Sequence, residues 1–199
     1  MAYIPVVSFD QDGEDKTMSL FNKLYEDRII LLHEAITPES MSVVTAQLMF
    51  LNAKDSTLPI HLYICSPGGS VTDGFAIIDA MNLIEAPVYT YAMGLVASMG
   101  ALIFLCGSKR YMLPNSELML HQPLGGVQGQ ATDIEITANR ILKMKKKINQ
   151  IIINHSKIAK NKIVQMIERD RYFDAEECIK KGLADEIITK MTKHKKSSI

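Results

Sequence analysis

Net charge is the first thing this sequence lacks: its 22 basic residues are matched by 22 acidic ones. Without a basic excess there is no overall electrostatic footprint for nucleic acid. Two local runs break the balance, Lys143 with Lys145, Lys146 and Lys147, and Lys190 with Lys193, Lys195 and Lys196. They read as a solvated helix face and a frayed tail rather than a phosphate-binding patch. Cysteine is scarce as well. Cys65, Cys106 and Cys178 form an odd set with no CxxC or ligand-like spacing, which argues against a disulfide framework or a zinc site and fits a reducing compartment. Cys65 and Cys106 lie in apolar runs and read as buried small hydrophobes. The first ten residues lack a basic stretch followed by an apolar one, so no secretory signal is expected. A nucleotide loop is missing too, because Ser66-Pro67-Gly68-Gly69 matches neither the dinucleotide fingerprint nor the P-loop spacing. No internal repeat or low-complexity linker divides the chain, and 199 residues with 47% hydrophobic content suffice for one packed domain.

Between residues 86 and 108 there is no charged side chain, a length that a hydropathy scan marks as a membrane span. Pro87, Gly94, Gly100 and Gly107 interrupt it, and residues 88–91 alternate like a strand before Gly94 resets the backbone. A buried strand followed by a buried helix is the better reading. Around it the pattern alternates. Residues 28–32 and 60–65 read as buried strands, Thr37-Pro38 opens a helix to about Asn52, and Ser70 caps another, with Asp73 placed to complete a capping box. Strand and helix alternating through Cys106 predicts an α/β class with parallel strands and right-handed crossovers. Residues 111–113 and 117–121 are two further short strands, and Asp174 and Gly182 bracket a last helix before a closing segment at residues 184–188. Polar residues 9–16 predict a mobile loop. The longest helical pattern, residues 131–155, carries one apolar stripe that either packs on its own sheet or projects toward another subunit.

Several residues carry chemistry. The amides after Ser66-Pro67-Gly68-Gly69 open a helix unobstructed by side chains, which suits an oxyanion hole. Ser98 lies between small residues at the start of an apolar helix, a nucleophile-like setting, although a serine that caps a buried helix is the commoner case. His121 ends an apolar strand ahead of Gln122-Pro123-Leu124-Gly125-Gly126, where a general base could work; His33, His61, His155 and His194 read as structural or solvated. Asp170, after Glu168 and Arg169, reads by composition as a charged helix end. Spacing alone does not bring these three together.

The segments Ser66-Pro67-Gly68-Gly69-Ser70, Ala97-Ser98-Met99-Gly100-Ala101, Leu113-Pro114-Asn115-Ser116 and Met119-Leu120-His121-Gln122-Pro123-Leu124-Gly125-Gly126 resemble, in order, the hallmark segments of the Clp protease proteolytic subunit family. The likeness extends from about Tyr3 to Ile188 and includes the run from Gly129 to Glu135 and the Gly182-Leu183-Ala184-Asp185 ending. It implies a crotonase-like α/β fold with a projecting handle helix and strand. It further implies a single peptidase domain over 1–199, with an axial loop region at about 1–18, a handle at about 122–158 and a flexible basic tail at about 190–199. The implied triad is Ser98, His121 and Asp170, with the amides of Gly69 and Met99 as oxyanion hole and Gly125 and Gly126 as a substrate-aligning strand. Glu168 and Arg169 resemble the residues that couple contacts between rings to the catalytic aspartate. Tyr63, Leu83, Tyr91, Met93, Tyr111 and Leu113 match an apolar docking pocket, in which His61 replaces a usual aromatic. Cys65 stands where asparagine is common, and the stretch between Cys106 and Arg110 is shorter than usual. The resemblance implies heptameric rings, a tetradecamer, an AAA+ unfoldase partner that consumes the ATP, unfolded protein or peptide substrates, and no metal or organic cofactor. It points to the cytoplasm, or an organelle matrix or stroma, without membrane or nucleic-acid partners. The alternatives are a paralogous subunit of low intrinsic activity that works only in a mixed ring and, on fold alone, an acyl-CoA hydratase or isomerase.

Overall fold

The computed structural model describes residues 5–11 and 14–190. The remainder of the N-terminus, residues 12–13 and most of the basic tail lie outside the described residues. Two strands, β1 (Val6–Gln11) and β2 (Glu14–Ser19), pair antiparallel, with Val6 opposite Ser19 and Phe9 opposite Lys16. The mobile loop expected over residues 9–16 is therefore mostly hairpin. Residues 12 and 13 of that expected loop lie outside the described residues. Helix α1 (Leu20–Glu26) follows at once, capped by the Ser19 hydroxyl, which accepts from the Asn22 amide at 3.1 Å.

Strand β3 (Ile29–Leu32) leads through the capping box of Thr37 and Ser40 into α2 (Pro38–Lys54), then β4 (Ile60–Ser66), α3 (Val71–Leu83) and β5 (Val88–Ala97). Neighbouring strands pair parallel, β3 with β4 and β4 with β5, as alternating strand and helix predict. Ser70 caps α3 by accepting from the Asp73 amide at 3.4 Å. The Asp73 carboxylate returns no bond, so the expected capping box is only half formed.

Gly94 does not end β5, as the sequence reading had it, but bends it. Its φ of +56° coincides with a register shift against β4 between Ile64 and Ser66. The first half of β5 pairs with β6 (Lys109–Met112) and the second half with β7 (Glu117–Leu120), both parallel. One strand thus splits the sheet toward two neighbours, and α4 (Met99–Leu105), buried along its whole length, starts where the β7-facing half stops. No helix among the described residues is long and apolar enough to cross a membrane.

Helix α5 (Ala131–Asn154) resolves the two readings of the long stripe by dividing. Its C-terminal end buries Ile148 and Ile152 in the core, whereas Ile134, Ile136 and Leu142 stay exposed on the other half. After it come α6 (Lys160–Met166), the three-residue β8 (Arg171–Phe173) antiparallel to β7, and α7 (Ala175–Lys181). Asp174 caps α7 and Gly182 ends it at φ 66°, as expected; β9 (Glu186–Ile187) closes against β6.

Buried polar groups brace this frame. Arg28, itself at φ 63°, is almost fully buried, and its guanidinium donates to the carbonyls of Leu51, Asp55, Leu58 and Pro59 at 2.9–3.0 Å. Those carbonyls lie at the end of α2 and along its turn into β4, so one side chain ties the helix end to the turn that follows it. Arg110 does similar work at the other end, holding the carbonyls of His155 and Gly182 and both oxygens of Asp185.

Candidate active site

The second half of β5 brings Ser98 alongside β7: Ala97 pairs with Met119, and the Ser98 amide donates to the Met119 carbonyl at 2.9 Å. The backbone then turns abruptly. Ser98 sits at φ 54° and ψ −120°, and only it and Arg28 among the described non-glycine residues have positive φ. A side-chain-bearing residue in such a region costs about 1–3 kcal/mol, strain that the flanking strand and buried helix must hold. Ser98 occupies the N-cap position of α4, yet its hydroxyl caps nothing. Its Oγ instead lies 2.8 Å from His121 Nε2.

His121 and Asp170 meet through strand register. The β7–β8 ladder pairs Leu118 with Phe173, Met119 with Tyr172 and Leu120 with Arg171. One further step places His121 opposite Asp170, and His121 Nδ1 is 3.1 Å from Asp170 Oδ1. Asp170 is not the charged helix end its composition suggested; it stands immediately before β8, which is too short to show a periodicity of its own. The imidazole is largely buried and the carboxylate more than half exposed. An unbroken hydrogen-bonded series from hydroxyl to imidazole to carboxylate can carry acyl-transfer chemistry: the base lies within reach of the nucleophile, and the third group fixes the ring tautomer.

The Gly68-Gly69 backbone packs directly against Ser98 and the Met99 amide. Gly69 forms a parallel bridge with Ile36, in which the Ile36 amide donates to Gly68 O and the Ser70 amide to Ile36 O, each at 2.9 Å. Bonds straddling Gly69 in this way turn its own N–H to the opposite side, the side on which β5 and Ser98 lie. Met99 is the first residue of α4, so its N–H has no partner within the helix. The turn is packed to the limit. A Cβ on Gly68, whose φ is +91°, would stand 2.6 Å from Ser98 Cβ and 2.9 Å from Ala97 O, and one on Gly69 would meet Ile36 O at 2.3 Å. Both glycines are therefore required by space as well as conformation. Sequence reading missed Gly74, in the middle of α3, where an added Cβ would strike the Met99 side chain at 2.1 Å.

The profile of the Clp protease family matches residues 11–191. A Bacillus cereus protein named ATP-dependent Clp protease proteolytic subunit 1 is 48% identical over 192 residues, covering 96% of this chain and 100% of its own. This chain belongs to the Clp protease family. Its mixed fold, a parallel core sheet with seven helices among the described residues, agrees with that membership.

The remaining residues singled out in this Clp-family chain fall less uniformly. Gly125 and Gly126 are exposed and belong to no strand. A strand needs a neighbour to bond, and the single chain offers them none. Glu168 and Arg169 sit in the turn between α6 and β8 and form no ion pair with a described residue.

Tyr63, Tyr91 and Tyr111 stack across adjacent strands, with ring centroids 4.3 and 5.0 Å apart, and Met93 packs against them. Leu83 stands apart, 75% exposed at the end of α3, and Leu113, just past β6, lies outside the cluster. His61, buried beneath the stack, has Nδ1 2.8 Å from the Tyr91 hydroxyl. Burial, reinforced by the neighbouring tyrosines, raises the Tyr91 hydroxyl well above its ordinary range, and burial raises that of Tyr63. Burial likewise raises the Tyr111 hydroxyl.

Proposed function

We propose that this chain is the serine endopeptidase subunit of a compartmentalised, ATP-dependent protease. The observation that carries the reading is the continuous series Ser98 Oγ, His121 Nε2, His121 Nδ1 and Asp170 Oδ1 beside the Gly69 and Met99 amides. Ser98 Oγ attacks the peptide carbonyl carbon as His121 Nε2 takes the hydroxyl proton. The carbonyl oxygen becomes an oxyanion that accepts from the Gly69 and Met99 N–H groups, whose fixed dipoles need no reorganisation. Collapse expels the amine, which receives the proton from His121, and leaves an acyl-serine. Water repeats the sequence and frees the acid. Asp170 keeps the proton of neutral imidazole on Nδ1 and stabilises the imidazolium. Every proton and charge in this scheme has a partner in the chain, so no metal or organic cofactor is required.

In this reading one peptidase domain carries the N-terminal region of about 1–18 as an axial loop region and the segment of about 122–158 as a handle. The exposed half of α5 packs between subunits in heptameric rings stacked as a tetradecamer, with Glu168 and Arg169 at the junction. There Gly125 and Gly126 gain the neighbour they lack alone and pair with an extended substrate backbone. An AAA+ unfoldase docks on the tyrosine cluster and supplies unfolded chains, and the cytoplasm, or an organelle matrix or stroma, is the place of work. Native mass spectrometry, a fluorogenic peptide and a fluorophosphonate label, applied to wild type and Ser98→Ala, test it. The wild type assembles, labels and cleaves; Ser98→Ala assembles, does not label and loses turnover by about 10⁴-fold or more. An assembled wild type that neither labels nor cleaves refutes the proposal.

A further inference from the structure

His121 and Asp170 each stand one step past the last rung of a three-rung ladder, where two strands are free to fray. Among the described residues no hydrogen bond but that to His121 holds the Asp170 carboxylate, and more than half of it is exposed. The adjoining residue closes the gap. The Gln122 amide donates to Ile167 O at 2.7 Å, and Gln122 Nε2 donates to Glu168 O at 3.1 Å, two bonds into the turn that leads to Asp170. The Gln122 side chain is itself held, because Lys145 Nζ donates to its Oε1 at 2.8 Å. Lys145 lies on α5 one turn before the buried Ile148, on the stretch that joins the core-packed end of the helix to its exposed half.

We propose that Gln122 and Lys145 are positioning residues for the reaction: Lys145 orients the Gln122 amide, Gln122 pins the turn bearing Asp170 against His121, and the placement of α5 thereby sets the imidazole–carboxylate contact. The physical case rests on the number of soft bonds involved. A lone exposed carboxylate contact is easily lost, whereas three additional bonds in series, one of them charge-assisted, tie both partners to a helix anchored in the core. A displacement of α5 from its exposed half reaches the triad through this link. The inference rests on the peptidase reading of Ser98, His121 and Asp170.

The test uses the full chain with Lys145→Met, Lys145→Arg, Gln122→Met and the Lys145→Met/Gln122→Met double variant, assayed with a short fluorogenic peptide after native mass spectrometry confirms the wild-type assembly. Lys145→Met lowers kcat by about 5- to 50-fold with KM within about twofold, as expected for a misplaced base rather than lost binding. Lys145→Arg, which keeps a cationic donor, restores kcat to within about threefold of wild type, and the double variant is no worse than the weaker single one. Lys145→Met with unchanged kcat in an intact assembly, a loss confined to KM, failure of Lys145→Arg to rescue, or fully multiplicative losses overturns the clamp while the peptidase reading stands. A wild type that neither cleaves nor reacts with fluorophosphonate overturns both.

Discussion

Adding one methyl group at Gly68 is a sharp test of how the oxyanion turn and nucleophile share space. The new Cβ would sit 2.6 Å from Ser98 Cβ, 2.9 Å from Ala97 O and 3.1 Å from Met99 N. The first of these is roughly 1 Å inside the optimal carbon–carbon separation of about 3.5–4.0 Å. None of the three atoms is the free end of a flexible side chain; all belong to the strained strand-to-helix turn that Ser98 makes at φ 54°. Relief must therefore come from moving the Gly68-Gly69 turn away from Ser98, and the Gly69 amide moves with it. A shift of about 1 Å at a reacting centre costs about 10²-fold, and loss of one oxyanion donor costs about 10²–10³-fold in kcat. Gly68→Ala should thus lower kcat on a fluorogenic peptide by about 10²-fold or more, with KM little changed. The left-handed backbone at φ +91° adds a stability cost of about 1–2 kcal/mol, visible as a lower Tm. Titration with fluorophosphonate should slow in parallel, since the phosphonyl oxygen uses the same donors. If Gly68→Ala folds, loses Tm and still turns over within threefold of wild type, the turn does not position the oxyanion donors and the reasoning is wrong.

Arg28→Met should destabilise the fold by roughly 2–4 kcal/mol in urea melts, because the carbonyls of Leu51, Asp55, Leu58 and Pro59 all lose the guanidinium; an unchanged midpoint would show that water replaces the guanidinium. Burial pushes the Cys106 and Cys178 thiols up to about 12. Both should resist iodoacetamide at pH 8 in the native protein and react once it is unfolded, and prompt native alkylation of either would contradict the packing. Their raised values carry a sign: the unfolded thiols ionise first, so stability is intact below about pH 9 and declines toward about pH 12. At Asp185 burial alone would raise the carboxyl, but the hydrogen bonds and charge of Arg110 outweigh it and lower the value. The resulting stabilisation is present above the ordinary carboxylate range and is lost as pH falls through the lowered value. Asp185→Asn should lower Tm at neutral pH and flatten its acid-side dependence, while an unaltered profile would remove the ion pair from consideration.

Much of this protein was legible in its residues. Alternating apolar strands and capped helices foretold parallel β3, β4 and β5 with crossover helices, because a strand buried on both faces and a helix with one apolar face leave distinct periods in the chain. The bounds of α7, between Asp174 and Gly182, were equally plain, since caps are local chemistry. The four hallmark segments marked Ser98, His121 and the Gly69 turn. What composition could not supply was Asp170, because three-residue β8 has no readable period and its partner strand lies about 50 residues earlier in the chain. The hairpin at the N-terminus, the bend of β5 at Gly94 and the burial of Arg28 were likewise hidden. Each depends on which backbone groups come opposite one another, and that is a property of register. So the sequence by itself determined the kinds of element and the reactive residue types. Only the tertiary structure decided that a hydroxyl, an imidazole and a carboxylate lie within hydrogen-bonding distance, because non-local strand pairing brings them together and no local pattern encodes it.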